Sequence, residues 1–386
     1  MVDPVGGERV SQGVGDVLLP DDLGEGLRPV AAVQREGGVH PGSLATGTDR
    51  AHRPGPAPGR VHTGGVSLDL PTLDRARAVV ARHFGPTPQH EWPLLGRALG
   101  ATAWVKHENQ TPTGAFKVRG GLVYVERLRR ERPRVRGIVS ATRGNHGQSL
   151  AWAGRQAGLE VVIVVPHGNS PDKNAAMEAF GAELVVHGHD FQEAAEHSAE
   201  LAAERGLEAV PPFHPDLVAG VATYAAEFLV AAPFDTVYVP VGMGSGISGL
   251  IAVRDLLGLP TEIVGVVSEA APATARSFAA GTVTPADAST FVDGVACRRP
   301  DPTALAVMVA GAARIVTVSE DLAADAMRLV LGTVHQLPEP AGSLAFAGAL
   351  AETDHIGGST VGMVLSGGNC DADLLQTVLA GRTPAA

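Results

Sequence analysis

Residues 236–258 read TVYVPVGMGSGISGLIAVRDLLG: an apolar run, a glycine-rich turn and a second apolar stretch with helical spacing. This pattern predicts a buried strand that passes through the glycines into an α-helix. Glycines allow close backbone approach, and a helix start adds positive dipole, so a phosphate would suit the turn. The turn lacks the Lys-Ser/Thr ending of a P-loop, and a ligand-free tight turn remains the alternative. The candidate phosphate-binding residues are Gly242, Met243, Gly244, Ser245 and Gly246.

The alternation of apolar strand and helix recurs on both sides of this segment. Apolar runs that read as buried strands are followed by stretches with helical spacing, a pattern typical of parallel sheets covered on both faces. The predicted strands lie at 102–108, 137–141, 160–166, 182–188, 236–242, 262–269 and 361–368, and the clearest helices at 71–84 and 116–131.

Composition restricts the function classes. The chain of 386 residues has a formal net charge of −11, which argues against non-specific nucleic-acid binding. Its two cysteines have no metal-type spacing, so a reducing cytoplasm is expected. No apolar run reaches the roughly 18 residues of a membrane span. Residues 1–66 are rich in Gly and Pro and lack aromatic side chains, so we predict that they are disordered.

Lys117 is one of three lysines among 30 Lys and Arg residues. The other 27 of these residues are arginines, so a retained lysine draws attention. An amine can lose its proton and react, which a guanidinium does not do. Lys117 lies in TGAFKVRGG, where it could form a Schiff base with a carbonyl. A solvated surface lysine is the alternative.

Two further turns follow predicted strands, where ligands bind in open α/β sheets. SATRGNHGQS (140–149) offers hydroxyls, an amide, an imidazole and a guanidinium that could bind an anion bidentately. VLSGGNCD (364–371) places the Ser366 hydroxyl at a strand end. A lysine, a phosphate loop and a neutral hydroxyl together suit pyridoxal 5'-phosphate.

Four segments, ENQTPTGAFKVRGG, SATRGNHGQSLAWA, PVGMGSGISGL and LSGGNCD, resemble the motifs of the fold-type II pyridoxal-phosphate enzymes. The match is to the branch of threonine/serine dehydratases and serine racemase, from about residue 68 to about residue 379. The resemblance implies an α/β fold like that of tryptophan synthase β, with two open domains and mainly parallel twisted sheets. It places the large cofactor-binding domain at 67–136 and 216–386, and a small substrate-gating domain at 137–215.

The resemblance also implies roles for the candidate residues. Lys117 would hold the cofactor, with Phe116 against its ring, Asn145 on its phenolic oxygen and Ser366 on its ring nitrogen. The glycine loop would bind the phosphate. The substrate would be bound by Ser140, Thr142, Arg143 and His146.

The activity implied is that of an ammonia-lyase, which converts a β-hydroxy amino acid such as L-threonine or L-serine to a 2-oxo acid and ammonia. Arg143 stands where relatives carry a small residue or a serine, which disfavours racemase chemistry and suggests a second substrate anion, as in 3-hydroxyaspartate. Another β-elimination or β-replacement enzyme, and a non-catalytic ligand-binding relative, are the alternatives. Some relatives bind a divalent metal at a site that would begin at Glu269 in this chain. No metal is expected here, because Ala275 falls where that site needs a carboxylate. A homodimer or homotetramer is implied.

Overall fold

The computed structural model describes residues 61–63 and 66–386. Residues 1–60, 64 and 65 of the segment predicted to be disordered lie outside the described residues. Its last part is described, and there Val61–Thr63 pairs antiparallel with Val66–Leu68. The assignment of residues 1–66 to disorder stays a prediction.

The helices and strands alternate along the chain largely as the apolar runs predict. The first part contains β1 (Val61–Thr63), β2 (Val66–Leu68), α1 (Leu70–Ala81), β3 (Gln89–Glu91), α2 (Pro93–Leu99), β4 (Thr102–His107) and α3 (Lys117–Glu131). The middle part contains β5 (Gly137–Ala141), α4 (Asn145–Gln156), β6 (Glu160–Val165), α5 (Pro171–Ala179), β7 (Glu183–Val186), α6 (Phe191–Arg205), β8 (Glu208–Ala209) and α7 (Pro215–Phe228). The last part contains β9 (Thr236–Pro240), α8 (Ser245–Leu256), β10 (Glu262–Ser268), α9 (Ala273–Ala280), α10 (Pro302–Gly311), β11 (Arg314–Val318), α11 (Glu320–Thr333), α12 (Pro340–Ala351), α13 (Thr353–Ile356), β12 (Thr360–Leu365) and α14 (Ala372–Leu379).

Ten of these strands form two larger sheets. The first has six strands in the order β11-β10-β9-β12-β4-β3, all parallel except that β3 pairs antiparallel with β4. The second has four parallel strands in the order β7-β6-β5-β8. All four strands of the second sheet come from residues 137–209, and none of the first sheet's strands does. The division into a large and a small domain remains a prediction.

Helix α12 shows why the six-stranded sheet is buried. Its sequence, PAGSLAFAGALA, carries small or apolar side chains on every face, and ten of its twelve residues are buried. A Cβ on Gly348 would lie 2.5 Å from Val266 Cγ2, so the absence of a side chain allows the helix to lie close against β10. Burial of a large apolar side chain such as Phe346 contributes about 1.5–3 kcal/mol.

The parallel order places three loops at one edge of the six-stranded sheet. Strands β4, β12 and β9 are parallel neighbours, so the segments that follow their carboxyl ends meet there. These segments lead to Lys117, to Ser366 and to the glycine turn. No helix in the described part of the chain is long and apolar enough to cross a membrane.

Candidate active site

Lys117 is the first residue of α3, and the segment before it is tied to the loop after β12. The Phe116 N–H donates to the Ser366 carbonyl oxygen at 3.0 Å, and Ala115 forms an isolated β-bridge with Gly367. The Ala115 N–H also donates to Thr111 Oγ1 at 3.0 Å. These contacts fix the start of α3 at the carboxyl edge of the sheet.

The Lys117 amine lies beside the glycine turn. Nζ donates to Ser245 Oγ at 3.3 Å and lies 5.0 Å from the centre of the Phe116 ring. Desolvation lowers the pKa of Lys117 to about 8, although the Glu339 carboxylate acts in the opposite direction. About a tenth of this amine is therefore neutral at pH 7, far more than for an ordinary lysine.

The glycine turn joins β9 to α8, and two of its glycines have no room for a side chain. Gly244 has φ +93°, and a Cβ there would lie 2.7 Å from Ala304 Cβ. At Gly242 a Cβ would lie 2.3 Å from the Gly294 carbonyl oxygen. Gly246 is less restricted, because its Cβ would meet Val239 at an ordinary 3.4 Å.

Helix α8 starts at Ser245, and among the described residues no side chain caps it. The N–H groups in the first turn of a helix have no acceptor within that helix, so an anion can accept from them. The Ser245 side chain is buried at this helix start. The donors of the turn therefore fit a phosphate group.

Asn145 lies at the start of α4 and reaches across to the large sheet. Its Nδ2 donates to both carboxylate oxygens of Glu339, at 2.7 and 2.9 Å. Its Oδ1 accepts from Asn369 Nδ2 at 2.8 Å. These hydrogen bonds join the turn after β5 to the turn after β12, so both turns lie at one place on the molecule.

The remaining residues of the 140–149 turn differ in what they can offer a ligand. The Ser140 hydroxyl donates to the Val210 carbonyl oxygen at 2.8 Å, so its proton is used within the four-stranded sheet. Thr142 Oγ1 accepts from the Gly144 N–H at 3.1 Å. Buried His146 has no partner for Nε2 among the described residues. Burial lowers the pKa of His146 to about 3, with a contribution from Lys117, so the imidazole is neutral.

Arg143 is exposed and makes no ion pair within the described residues. The Asp190 carboxylate is near enough to sense its charge: the pKa of Asp190 is lowered mainly by the Glu193 backbone N–H and, among smaller causes, by Arg143. Because Arg143 is exposed and forms no ion pair with a described residue, its guanidinium could bind an incoming anion.

Sequence reasoning missed two charged residues of the site. Glu339 lies just before α12, and its carboxylate is buried beside Asn145. Lys173 of α5 donates to Asp293 Oδ2 at 3.0 Å and lies 3.8 Å from Asp371 Oδ2. A lone carboxylate within the apolar stretch 337–350 was the available signal for Glu339. No three His, Cys, Asp or Glu side chains in the described part of the chain are grouped to hold a metal.

Comparisons with known proteins agree with this geometry. Residues 80–367 match the model of the family described as pyridoxal-phosphate dependent enzyme. The L-threo-3-hydroxyaspartate ammonia-lyase of Saccharomyces cerevisiae is 30% identical over 306 residues, which cover 78% of this chain and 94% of that protein. The biosynthetic L-threonine dehydratase of Pasteurella multocida is 31% identical over 297 residues, covering 76% of this chain but 58% of the relative.

Solved structures give the same result. The processed form of threonine deaminase isoform 2 from Solanum lycopersicum superposes with a TM-score of 0.74 at 27% identity, covering 86% of this chain and 93% of that one. The residues that match the family, 80–367, contain the lysine segment, the turn after β5 and the glycine turn. The chain therefore belongs to the fold-type II pyridoxal-phosphate dependent enzymes.

Proposed function

We propose that this protein is an ammonia-lyase that converts a β-hydroxy amino acid such as L-threonine or L-serine to a 2-oxo acid and ammonia. The observation that carries the proposal is the Lys117 amine, which has a pKa of about 8 and donates to Ser245 at an uncapped helix start. A nucleophilic amine beside an anion site is what a phosphorylated aldehyde cofactor requires.

The described residues suit the parts of pyridoxal phosphate. The backbone of residues 242–246 and the start of α8 would bind the phosphate, and Lys117 would bind the aldehyde carbon. Phe116 would lie against the ring, with Asn145 at the phenolic oxygen and Ser366 at the ring nitrogen. A neutral hydroxyl there does not hold a proton on that nitrogen as a carboxylate does, which favours elimination over transamination.

Bound pyridoxal phosphate supplies an electron sink for the charge that develops at the substrate Cα. Lys117 Nζ takes the Cα proton as a general base, because a pKa of about 8 leaves part of the amine neutral at neutral pH. The C–O bond to the β-hydroxyl then breaks, and that oxygen leaves as water with one added proton, which balances the proton that Lys117 took from Cα. One water is later added back, so the net products are the 2-oxo acid and ammonia.

The substrate carboxylate would lie at the turn after β5, near Thr142 and neutral His146. The unpartnered Nε2 of His146 could hydrogen-bond a ligand there if it carries the ring proton. Ser140 contributes less than its sequence position suggests, because its hydroxyl already donates to Val210.

Purified protein reconstituted with the cofactor, assayed against L-threonine, L-serine and L-threo-3-hydroxyaspartate, tests the proposal. We expect ammonia and 2-oxo acid in equal amounts, and loss of both in Lys117→Ala. A protein that binds cofactor but releases neither product from any substrate would favour a non-catalytic relative. Release from cysteine or 2,3-diaminopropionate alone would favour another β-elimination.

A second candidate substrate, 3-hydroxyaspartate, is favoured by exposed and unpaired Arg143. A guanidinium at this turn could bind the additional carboxylate, which threonine and serine lack. Arg143→Ala should then raise KM for hydroxyaspartate at least about tenfold more than KM for threonine. Arg136→Ala is the control, since Arg136 is also exposed and precedes the same strand. Equal changes in both KM values would exclude this role.

The finer assignments of compartment and assembly are part of the same proposal. The two cysteines form no disulfide, in keeping with a cytoplasmic enzyme.

Exposed apolar side chains such as Val230 and Leu379 are available to contact a second copy in a homodimer or homotetramer. Light scattering on the purified protein would measure its mass directly.

A further inference from the structure

Glu339 is a buried carboxylate whose position is fixed by the backbone around it. Only 6% of the residue is exposed. Its N–H donates to the Gly367 carbonyl oxygen at 3.0 Å, which ties it to the loop after β12. A Cβ on Gly367 would lie 2.2 Å from Glu339 Oε1, so any larger residue at the second position of the SGGN turn would displace the carboxylate.

The carboxylate is directed at Asn145 and at no other hydrogen-bond donor in the described part of the chain. Both oxygens accept from Asn145 Nδ2, while Asn369 Nδ2 donates to Asn145 Oδ1 at 2.8 Å. Asn369 is itself held by the Thr113 carbonyl oxygen at 2.8 Å. The amide of Asn145 is therefore oriented from both ends: an acceptor faces its NH₂ group and a donor faces its oxygen.

Glu339 also interacts with the charge on Lys117. Each influences the ionisation of the other, and burial raises the pKa of Glu339 to about 7 against the lowering effects of Asn145, Lys173 and Lys117. A carboxylate kept out of water costs free energy unless it is fully hydrogen-bonded. The Glu339 carboxylate accepts from the single side chain of Asn145 among the described residues, so the free-energy cost of burying it suggests a role in the site.

We propose that Glu339 is a positioning residue that orients Asn145 and thereby raises the pKa of the Lys117 nitrogen when that nitrogen is bound to the cofactor. The inference rests on the proposed roles of Lys117 and Asn145. Asn145 Nδ2 carries two hydrogens, so it can donate one to the Glu339 carboxylate and the other to the phenolic oxygen, which stabilises that oxygen as an anion. That anion, beside the Lys117 nitrogen, favours a proton on the nitrogen.

Glutamine at position 339 would keep the shape but remove this control. Its amide offers one acceptor and one donor in place of two acceptors, so Asn145 is no longer held in one orientation. The loss of negative charge acts in the same direction. Both effects lower the pKa of the cofactor-bearing nitrogen.

The test is a spectroscopic titration of the cofactor-loaded protein. The absorbance band of the cofactor on Lys117 is followed from about pH 6 to about pH 10 in wild type, Glu339→Gln and Glu352→Gln. Glu339→Gln should lower the midpoint by about one pH unit. Glu352→Gln should leave it unchanged, because Glu352 binds Arg314 and Tyr238 away from the site. An unshifted midpoint in Glu339→Gln would overturn the proposal.

A double-mutant cycle tests whether the effect passes through Asn145. The Glu339→Gln shift should fall below about half its size in an Asn145→Ala background. A shift of the same size in both backgrounds would also overturn the proposal, because Glu339 would then act by charge alone. Should Glu339→Gln not fold, Glu339→Asp keeps the charge but shortens the reach to Asn145, and a wild-type midpoint there would count equally against it. A wild type without the band contradicts the role of Lys117 instead, so the two failures are distinguishable.

Discussion

At the residue scale, the three lysines of this chain differ in the partners of their amines. Lys106 is fully buried and donates to Glu227 Oε2 at 2.6 Å, and buried Lys173 pairs with Asp293. Lys117 makes no ion pair among the described residues, and it alone of the three donates to the glycine turn. The absence of a carboxylate partner among the described residues therefore distinguishes Lys117 from the two lysines that are held in ion pairs.

The depressed pKa of Lys117 predicts how the cofactor-free protein takes up pyridoxal phosphate. Attachment requires the neutral amine, and the pKa of about 8 means that the neutral fraction rises as pH rises toward 8 and then levels off. The attachment rate constant should rise about tenfold per pH unit below 8 and reach a plateau above it. Stopped-flow absorbance measures this.

A simple amine is the control for that measurement. Nα-acetyl-lysine has an ordinary pKa, so its reaction with the same aldehyde should keep rising to about pH 10. A protein profile that follows the free amine would mean that Lys117 is not desolvated in solution.

At the element scale, the turn between β9 and α8 combines a left-handed residue with close packing. Alanine at Gly244 would have to adopt φ +93° with its Cβ 2.7 Å from Ala304 Cβ. We expect Gly244→Ala to lower the free energy of unfolding by about 1–3 kcal/mol and to weaken cofactor binding at least about tenfold. Urea unfolding and a fluorescence titration with pyridoxal phosphate measure the two effects.

Gly258→Ala separates backbone strain from site geometry. Gly258 has φ +64°, but a Cβ there would have nothing within 4 Å. It should cost about 1 kcal/mol of stability and leave cofactor affinity unchanged. Equal loss of affinity in both variants would mean that the turn affects binding only through overall stability.

Helix α3 depends on a buried ion network behind Lys117. Arg119, fully buried, donates to Glu108 Oε2 at 2.8 Å and to Glu227 Oε1 at 2.7 Å. Removing the guanidinium leaves the buried Glu108 carboxylate without its ion-pair partner, although the Thr87 hydroxyl still donates to it. Arg119→Ala should therefore lower the free energy of unfolding by about 3–5 kcal/mol.

The surface pair of Arg82 with Glu126 of the same helix is the matched control for Arg119. These side chains are about half exposed and lie 3.2 Å apart, so Arg82→Ala should cost less than about 1 kcal/mol. Denaturant unfolding of both variants gives the comparison. Similar losses would show that the network behind Lys117 is no stronger than a surface pair.

Helices and strands could be predicted from the sequence where a single segment contains the complete apolar pattern. The run GIVSA coincides with β5, and the helix expected at 116–131 is α3, one residue shorter. Sequence reasoning did not assign β11 (Arg314–Val318), whose residues are mostly half-buried at the edge of the sheet. Without full burial, such a strand lacks the continuous apolar run that identifies its neighbours.

At the scale of the whole molecule, the site depends on contacts between distant parts of the chain. The motifs locate Lys117, the glycine turn and Asn145, because each motif is local. Glu339 reaches Asn145 across 194 residues of sequence, and only the meeting of the two sheets brings them together. Neither residue's neighbours in sequence encode that pairing, which is why one carboxylate of the site was missed.

A second long-range contact connects the four-stranded sheet to the six-stranded one. Lys173 of α5 binds Asp293 at 3.0 Å, and Ser170 Oγ donates to Asp371 Oδ1 at 2.6 Å. The Gly294 carbonyl, next to Asp293, lies against Gly242 of the glycine turn. The contacts of Lys173 and Ser170 therefore join α5 to the glycine turn and to the loop after β12.

Loss of the Lys173 charge should loosen the contact between the two sheets without unfolding either. In Lys173→Met, amide hydrogen exchange should be at least about tenfold faster in α5 and in residues 366–371, because each 1.4 kcal/mol lost from a local opening is tenfold in rate. The buried strands β9 and β12 should exchange as in wild type. Arg205→Met is the control, since Arg205 pairs with Glu183 inside the four-stranded part. If Lys173→Met exchanges like Arg205→Met in both segments, the two sheets are held together by packing and not by this ion pair.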